Sequence, residues 1–366
     1  MRFPYKPSPH IKANVSTTHV LHTVLLALLF VAAWSIVIQY INFGADYAIR
    51  AVFIILTACA TAFVTDIAFY LIKTDGVKYT TLGERLKATL PKAFKEAPLV
   101  TALILALSLP VGIPLYAVIV ATIFAEFIGK LIFGGVGSNL FNPAAVGIVI
   151  AGLAFGSTIV PPDAYAGATP MATIASHYNW RITEAVGVQF ICNHCSLGHI
   201  FFGAVRGGIG EAARPAILIA LVFLIYKKVI DWVVPVVFVG TVFVATLIFG
   251  SYLCLGLWYP VLHVFSGSLI FGAVFMATDP VTTPVNRQGR ILFAIFLAMI
   301  TLIIRFNATH TEAMGFSILI MNMFVPFIDR KTGNITTSKP WAKAAVLCIA
   351  WVCAIGLALG ISIMLG

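Results

Sequence analysis

Residues 107–147 read LSLPVGIPLYAVIVATIFAEFIGKLIFGGVGSNLFNPAAVG. The stretch holds a short apolar piece, a proline pair at Pro110 and Pro114, a full apolar run, a linker rich in glycine and asparagine, and the start of another run. Proline removes a backbone donor and clashes with the preceding turn, so the pair ends one helix before the next begins. Backbone opened in this way is tolerated at membrane depth only where protein or a polar cavity faces it. The same order recurs in MATDPVTTPVNRQGRILFAIFLAMITLIIRFNATHTEAMG (276–315), with Pro280 and Pro284 as the pair. The copies are offset by five apolar runs, and an odd offset turns the second upside down. The reading is of two inverted halves whose broken helices meet near the midplane and line a path for ions or small polar molecules.

The rest of the chain fits that frame. Of 366 residues, 60% are hydrophobic and 10% charged, and the mean hydropathy is +1.02, which excludes a soluble globular domain. Apolar runs lie at about 20–41, 47–72, 97–111, 114–132, 143–160, 213–226, 233–250, 261–277, 291–304, 313–328 and 343–365. A crossing helix needs roughly 20 apolar residues, so the runs at 97–111, 213–226 and 291–304 are short for independent spans. The expected fold is an all-α polytopic membrane protein of about 10–11 transmembrane helices with inverted repeats and broken helices. Its divisions are an inner N-terminal segment (1–19), a first repeat (20–160), an external loop (161–212), a second repeat (213–330), and a linker with one more helix (331–366). The polar, basic start ends in no small-residue cleavage site, so the first run is expected to remain as a helix.

Charge gives the orientation. With the N-terminus inside and every run crossing, eighteen of the 23 Lys and Arg fall on the inner side, and only Arg50, Arg181, Arg206, Arg214 and Arg305 on the outer. That asymmetry follows the positive-inside rule and places the loop after the fifth run outside a bacterial or archaeal cytoplasmic membrane. The formal charge of +10 therefore belongs to span flanks; no aromatic-basic interleaving points to nucleic acid.

The external loop carries PPDAYAGATPMATIASHYNW. Thr169 before Pro170 is a helix start, a hydroxyl cap with proline at the first helical position. Free amides at such a start also suit a phosphate. Gly167 and Ala168 leave room for a bulky group.

Asp163, Gly167, Ala168 and Thr169 match the flavinylation pattern of the membrane subunits called D in the Rnf complex and B in the sodium-translocating NADH:quinone reductase, and the chain resembles that family. FGGVGSNLFNPAAVG (133–147), GGIGE (207–211), LIYKKVIDW (224–232), HVFSGSLIFGAVFMATDPVT (263–282), NRQGR (286–290) and NMFVPFID (322–329) follow in the family's order, so the resemblance spans about 1–332. It implies a covalent FMN joined through its phosphate to Thr169 by an FMN transferase that reads a motif including Asp163. It also implies a noncovalent riboflavin in the bundle, sister subunits, and electron transfer coupled to Na+ or H+, with the flavin carrying the redox chemistry. The short N-terminal segment favours the D type over the B type. The alternative in another class is a passive pore, since urea and ammonium channels share the inverted architecture.

Acids at membrane depth mark ion paths or buried partners. Asp279, on the broken element of the second repeat, has Thr278 and Thr282 beside it as further oxygens for a hard cation, against a turn-capping role before Pro280. Glu126 and Glu312 are further candidates on the ion path, while Asp66, Glu126 and Asp329 also read as interface residues beside Lys73, Lys130 and Arg330. Gly134, Gly135, Asn139 and Asn142 could admit a flavin or quinone-like ring, or form a plain polar turn with an Asn-Pro helix start. Cys192 and Cys195, in C-x2-C spacing near His194 and His199, allow a disulfide or a metal but have no second cysteine pair. In the last run Gly356 and Gly360 form a GxxxG face for a partner helix or stand on an ordinary lipid-facing anchor.

Overall fold

The computed structural model describes residues 16–73, 81–156, 197–203, 207–252, 254–307 and 313–333, with helical positions at 351, 356 and 360. Helix α1 (Thr17–Phe43) starts at Ser16, whose hydroxyl accepts from His19 N at 3.2 Å, and ends at Gly44, whose φ of 96° turns the chain straight into α2 (Ala45–Lys73). Then comes α3 (Leu82–Lys95), a charged helix capped by Thr81, in the interval between the second and third apolar runs. Pro98 opens α4 (Pro98–Ser108), in which every residue from Thr101 to Ser108 is buried.

The first half continues with α5 (Leu115–Ile123), which runs on through a wide turn at Phe124–Ile128 and a tight one at Leu131–Phe133, and with α6 (Pro143–Phe155). After the short α7 (Leu197–Phe202) and a turn of 3-10 helix at Ile209–Ala213, the second half comprises α8 (Arg214–Tyr226) and α9 (Val233–Tyr252). It closes with α10 (Trp258–Phe265), α11 (Leu269–Met276), α12 (Arg287–Asn307) and α13 (Met314–Gly333). Among the described residues six helices are long and apolar enough to cross a membrane, or seven when α10 and α11, bent by 61°, count as one span. This is a multi-pass, all-helical membrane protein. Its α1 and α2 turn Leu26, Val37, Phe53 and Val64 outward, whereas α12 is the most buried of these six helices.

The halves repeat and invert. In the first, α2 packs on the short α4 and on α5; in the second, α9 packs on the broken α10–α11 and on α12. Lys130 at the end of α5 donates to the carbonyl of Glu96 at 3.1 Å, just before α4 starts, and Asn142 beside that loop donates to Met276 O at 3.1 Å, where α11 stops. So α4 leaves the end of the bundle at which α11 arrives. The two broken elements run in opposite directions, as the odd offset requires.

Each break finds partners for its loosened backbone. After α4, Leu109 O accepts from Ile209 N at 3.0 Å and Gly112 O from Arg50 Nη2 at 3.4 Å. After α10, Arg305 donates from Nη1 to His263 O at 2.8 Å and from Nη2 to Ser266 O at 3.2 Å. Arg305 is 2% exposed, like Arg214, and Lys130 is 1% exposed; these three cations, counted with the loops by the charge rule, are internal. Replacing Arg305 with methionine keeps much of the volume but strands two buried carbonyls. The expected loss is about 2–5 kcal/mol, read as a lower thermal midpoint in detergent that Arg305→Lys partly restores; an unchanged midpoint would remove the capping role.

Candidate functional site

Where α5 widens at Phe124–Ile128, its last turns bring Glu126 and Lys130 onto one face, four residues apart. Such wide turns recur at functional positions, and the broken α11 carries its own at Gly272–Met276. Lys130 forms an ion pair with Glu126 and a second with Asp66 Oδ2 of α2 at 3.2 Å. All three side chains are at most 2% exposed. Two carboxylates face one ammonium, so the cluster has a formal charge of −1 before any proton or cation joins it. Unpaired, each charge would cost several kcal/mol at this depth, on the order of 3–5 when a partner is removed. Asp66 thus turns inward to Lys130, while Lys73 lies over the Phe69 ring, 5.7 Å from its centroid.

Glu96 ties this cluster to the glycine-rich loop. Its carboxylate accepts from Val136 N at 2.7 Å and from Tyr70 OH. Gly135, at φ 92°, makes that approach possible, since a Cβ there would stand 2.5 Å from both Glu96 oxygens. Asn139 donates to Phe141 O at 3.0 Å, and Asn142 caps α6 by accepting from Ala145 N at 3.2 Å while donating to Met276 O. The Asn-Pro helix start is therefore realised, and the same asparagine clamps the two halves together.

Asp279 sits on the loop that follows α11. Its Oδ1 accepts from Val281 N at 3.3 Å and its Oδ2 from the Thr282 hydroxyl at 3.0 Å, while Thr283 donates to Ala277 O and Asp279 O. This is a side-chain turn closed on its own loop. The residue keeps some exposure, but its carboxylate faces inward. That burial pushes its pKa above the ordinary carboxylate range, opposed by the bonds from Val281 N–H, Thr282 and Asn139. The Thr278 hydroxyl is spent on Val274 O. Asp329, for its part, accepts from Val285 N at 3.0 Å and pins the far end of the same loop.

A cavity of about 150 Å³ lies between these groups, walled by Leu21, Val24, Val100, Ile104, Leu224 and Phe275, with Glu96, Lys130, Asn139, Asn142, Thr278 and Asp279 at its polar edge. Asn139, Asn142, Thr278 and Asp279, selected from sequence, are thereby brought to one place. Gly134, Gly135, Thr282 and Glu126 stand behind the wall. Glu96, Lys130 and Asp66 were not selected as site residues; the i,i+4 spacing of Glu126 and Lys130 inside an apolar run was the available signal. Asp163, Gly167, Ala168, Thr169, Cys192, Cys195 and Glu312 lie outside the described residues.

The fold and site define a class: multi-pass membrane proteins with two inverted halves built around broken helices and a buried charge cluster. Comparison with known families makes the assignment specific. Residues 5–337 match the NQR2, RnfD, RnfE family, and the chain belongs to it. It is 32% identical over 338 residues to the D subunit of the proton-translocating ferredoxin:NAD(+) oxidoreductase complex of Clostridium ljungdahlii, covering 90% of this chain and 94% of the relative. It is 31% identical over 347 residues to the D subunit of the Na(+)-translocating ferredoxin:NAD(+) oxidoreductase complex of Acetobacterium woodii, covering 92% and 97%. A third relative, the D subunit of the ion-translocating oxidoreductase complex of Erwinia tasmaniensis, is 30% identical over 366 residues, covering 91% and 97%. The family match stops before the last apolar run.

Lys130→Met leaves Asp66 and Glu126 facing each other without a cation and is expected to cost about 3–5 kcal/mol, seen as loss of monodisperse protein or a lower unfolding midpoint. Adding Asp66→Asn and Glu126→Gln to Lys130→Met should recover most of that loss, because the charge that needed a partner is gone.

Proposed function

We propose that this chain is the D-type membrane component of an ion-translocating oxidoreductase complex, in which it carries flavin and relays electrons while Na+ or H+ moves through its bundle. The observation that carries the proposal is similarity over nine-tenths of the chain to relatives named as the D subunits of such complexes. On this reading DAYAGAT (163–169) receives FMN through a phosphoester on Thr169, attached by an FMN transferase for which Asp163 is part of the signal. The loop faces outward from a bacterial or archaeal cytoplasmic membrane, in agreement with the charge asymmetry. The chain acts only with sister subunits, since the donor and acceptor sites are theirs.

On this reading the noncovalent riboflavin sits against the cavity between the halves, which at about 150 Å³ takes in part of the ring system: apolar side chains offer a wall for a ring face, and Asn139, Asn142 and Thr278 a polar edge. The flavin contributes one- and two-electron chemistry when bound; the chain holds and orients it and excludes water. The ion path is read past Asp279, Thr278 and Thr282, with Glu126 in the charge cluster and Glu312 as a further candidate from the sequence. A cluster of two carboxylates and one lysine is one positive charge short of neutrality, which suits a stop for a proton or monovalent cation. Relatives at 32% and 31% identity are named for protons and for sodium, so overall similarity does not choose the ion.

The experiment is in-gel flavin fluorescence after denaturation, from cells that express the transferase. A fluorescent band at the size of this chain that disappears in Thr169→Ala supports the covalent flavin; a dark wild-type band sinks it and favours the passive pore of the same architecture. In the assembled complex, Asp279→Asn should keep the fluorescent band and slow ion-coupled electron transfer. Rates that saturate with added Na+ assign sodium as the coupling ion, and rates indifferent to Na+ assign the proton.

A further inference from the structure

A second cavity, of about 550 Å³, opens at the same end of the bundle between the α8–α9 turn, the start of α12 and the loop after α11. We propose that it holds the phosphate of an anionic phospholipid headgroup. Its lining includes Lys228 and Arg290 against one carboxylate, Asp231, which leaves it net positive. Arg290 is fixed in place, donating from Nε to Pro284 O at 2.9 Å and from Nη1 to Asp231 Oδ2 at 2.6 Å, with Nη2 unpartnered among the described residues. A guanidinium oriented in advance by two such bonds presents its remaining edge to an oxyanion at little entropic cost.

Lys228 is the second observation. Helix α8 ends with Lys228 N donating to Ile225 O at 2.9 Å and Val229 N to Leu224 O at 3.0 Å, a closing turn whose left-handed residue is normally glycine. Here that residue is Lys228, at φ 56°. A lysine held in a strained conformation at the mouth of a cationic cavity is the pattern from which a functional role is inferred.

The depth of the cavity identifies the ligand. Trp232 is 48% exposed and Tyr226 80%, and such aromatics mark the headgroup level of a bilayer. Arg287 stacks over the Trp232 ring, 5.6 Å from its centroid, at the rim. Basic pockets between helices on the cytoplasmic side are a known place for acidic headgroups, and Ile225, Val229, Val234 and Val285 give the glycerol and upper acyl chain an apolar wall. The assignment needs the membrane fold alone and stands independently of the redox reading.

Lys228→Gly tests it without threatening the fold, because glycine relieves the strain while removing the charge. The full chain, purified in detergent with its accompanying subunits, is titrated with phosphatidylglycerol and with phosphatidylcholine of the same acyl chains, and bound lipid is counted by native mass spectrometry. Wild-type protein should prefer phosphatidylglycerol. Lys228→Gly should lose about fivefold of that preference, Lys228→Arg should keep it, and the exposed neighbour variant Lys227→Gln should keep it. A wild-type preference unchanged in Lys228→Gly overturns the site. Displacement of the lipid by inorganic phosphate alone would assign the cavity to a soluble anion, and absence of lipid because a sister protein covers the cavity would assign it to that contact; either overturns the lipid.

Discussion

A backbone amide or carbonyl in hydrocarbon must find its partner inside the protein, and a chain that breaks two of its helices multiplies the groups that need one. The breaks are answered from far away in sequence. Ile209 N reaches Leu109 O, Arg50 reaches Gly112 O, and Arg305 reaches the carbonyls of His263 and Ser266. Two of these donors are charged, so the most costly residues in the bundle serve where neutral groups would leave carbonyls bare.

The same economy organises the end of the bundle that holds the site. Lys130 joins α2, α5 and the start of α4 in one contact set, and Asn142 joins the first half to the second. Glu96 fixes the glycine-rich loop through Val136 N and Tyr70 OH. A cavity lined from both halves can keep its shape only if loops from both are fixed this firmly, and here neither loop relies on its own backbone alone. Asp279 closes its own turn, which realises the capping role weighed from sequence, and it also lines the cavity.

Much of the architecture was legible because hydropathy and proline act locally. Runs of apolar residues, the pairs Pro110/Pro114 and Pro280/Pro284, and the small residues after them announced spans, breaks and linkers without reference to anything distant. The motif order likewise pointed to the family that the comparisons established. Less of the site could be read. Glu96 lies in a charged stretch that looks like a solvated flank, and Lys130, Arg214 and Arg305 entered the reading as loop charges. Their burial depends on what packs over them, which one residue's neighbours in sequence do not state. Asp66 was expected beside Lys73, seven residues on; its partner is Lys130, 64 residues away.

The sequence by itself determined that the chain is a multi-pass helical membrane protein, since that follows from composition and from hydropathy along the chain; its proline pairs and the odd offset between the two similar stretches pointed to the breaks and the inversion. Only the tertiary structure decided which charges are internal, which carboxylates share Lys130, and that the loops after α5 and α11 enclose one cavity. The physical reason is that a buried charge is stable only beside its counter-charge, and the partner is chosen by the crossing of helices that are neighbours in space and strangers in sequence.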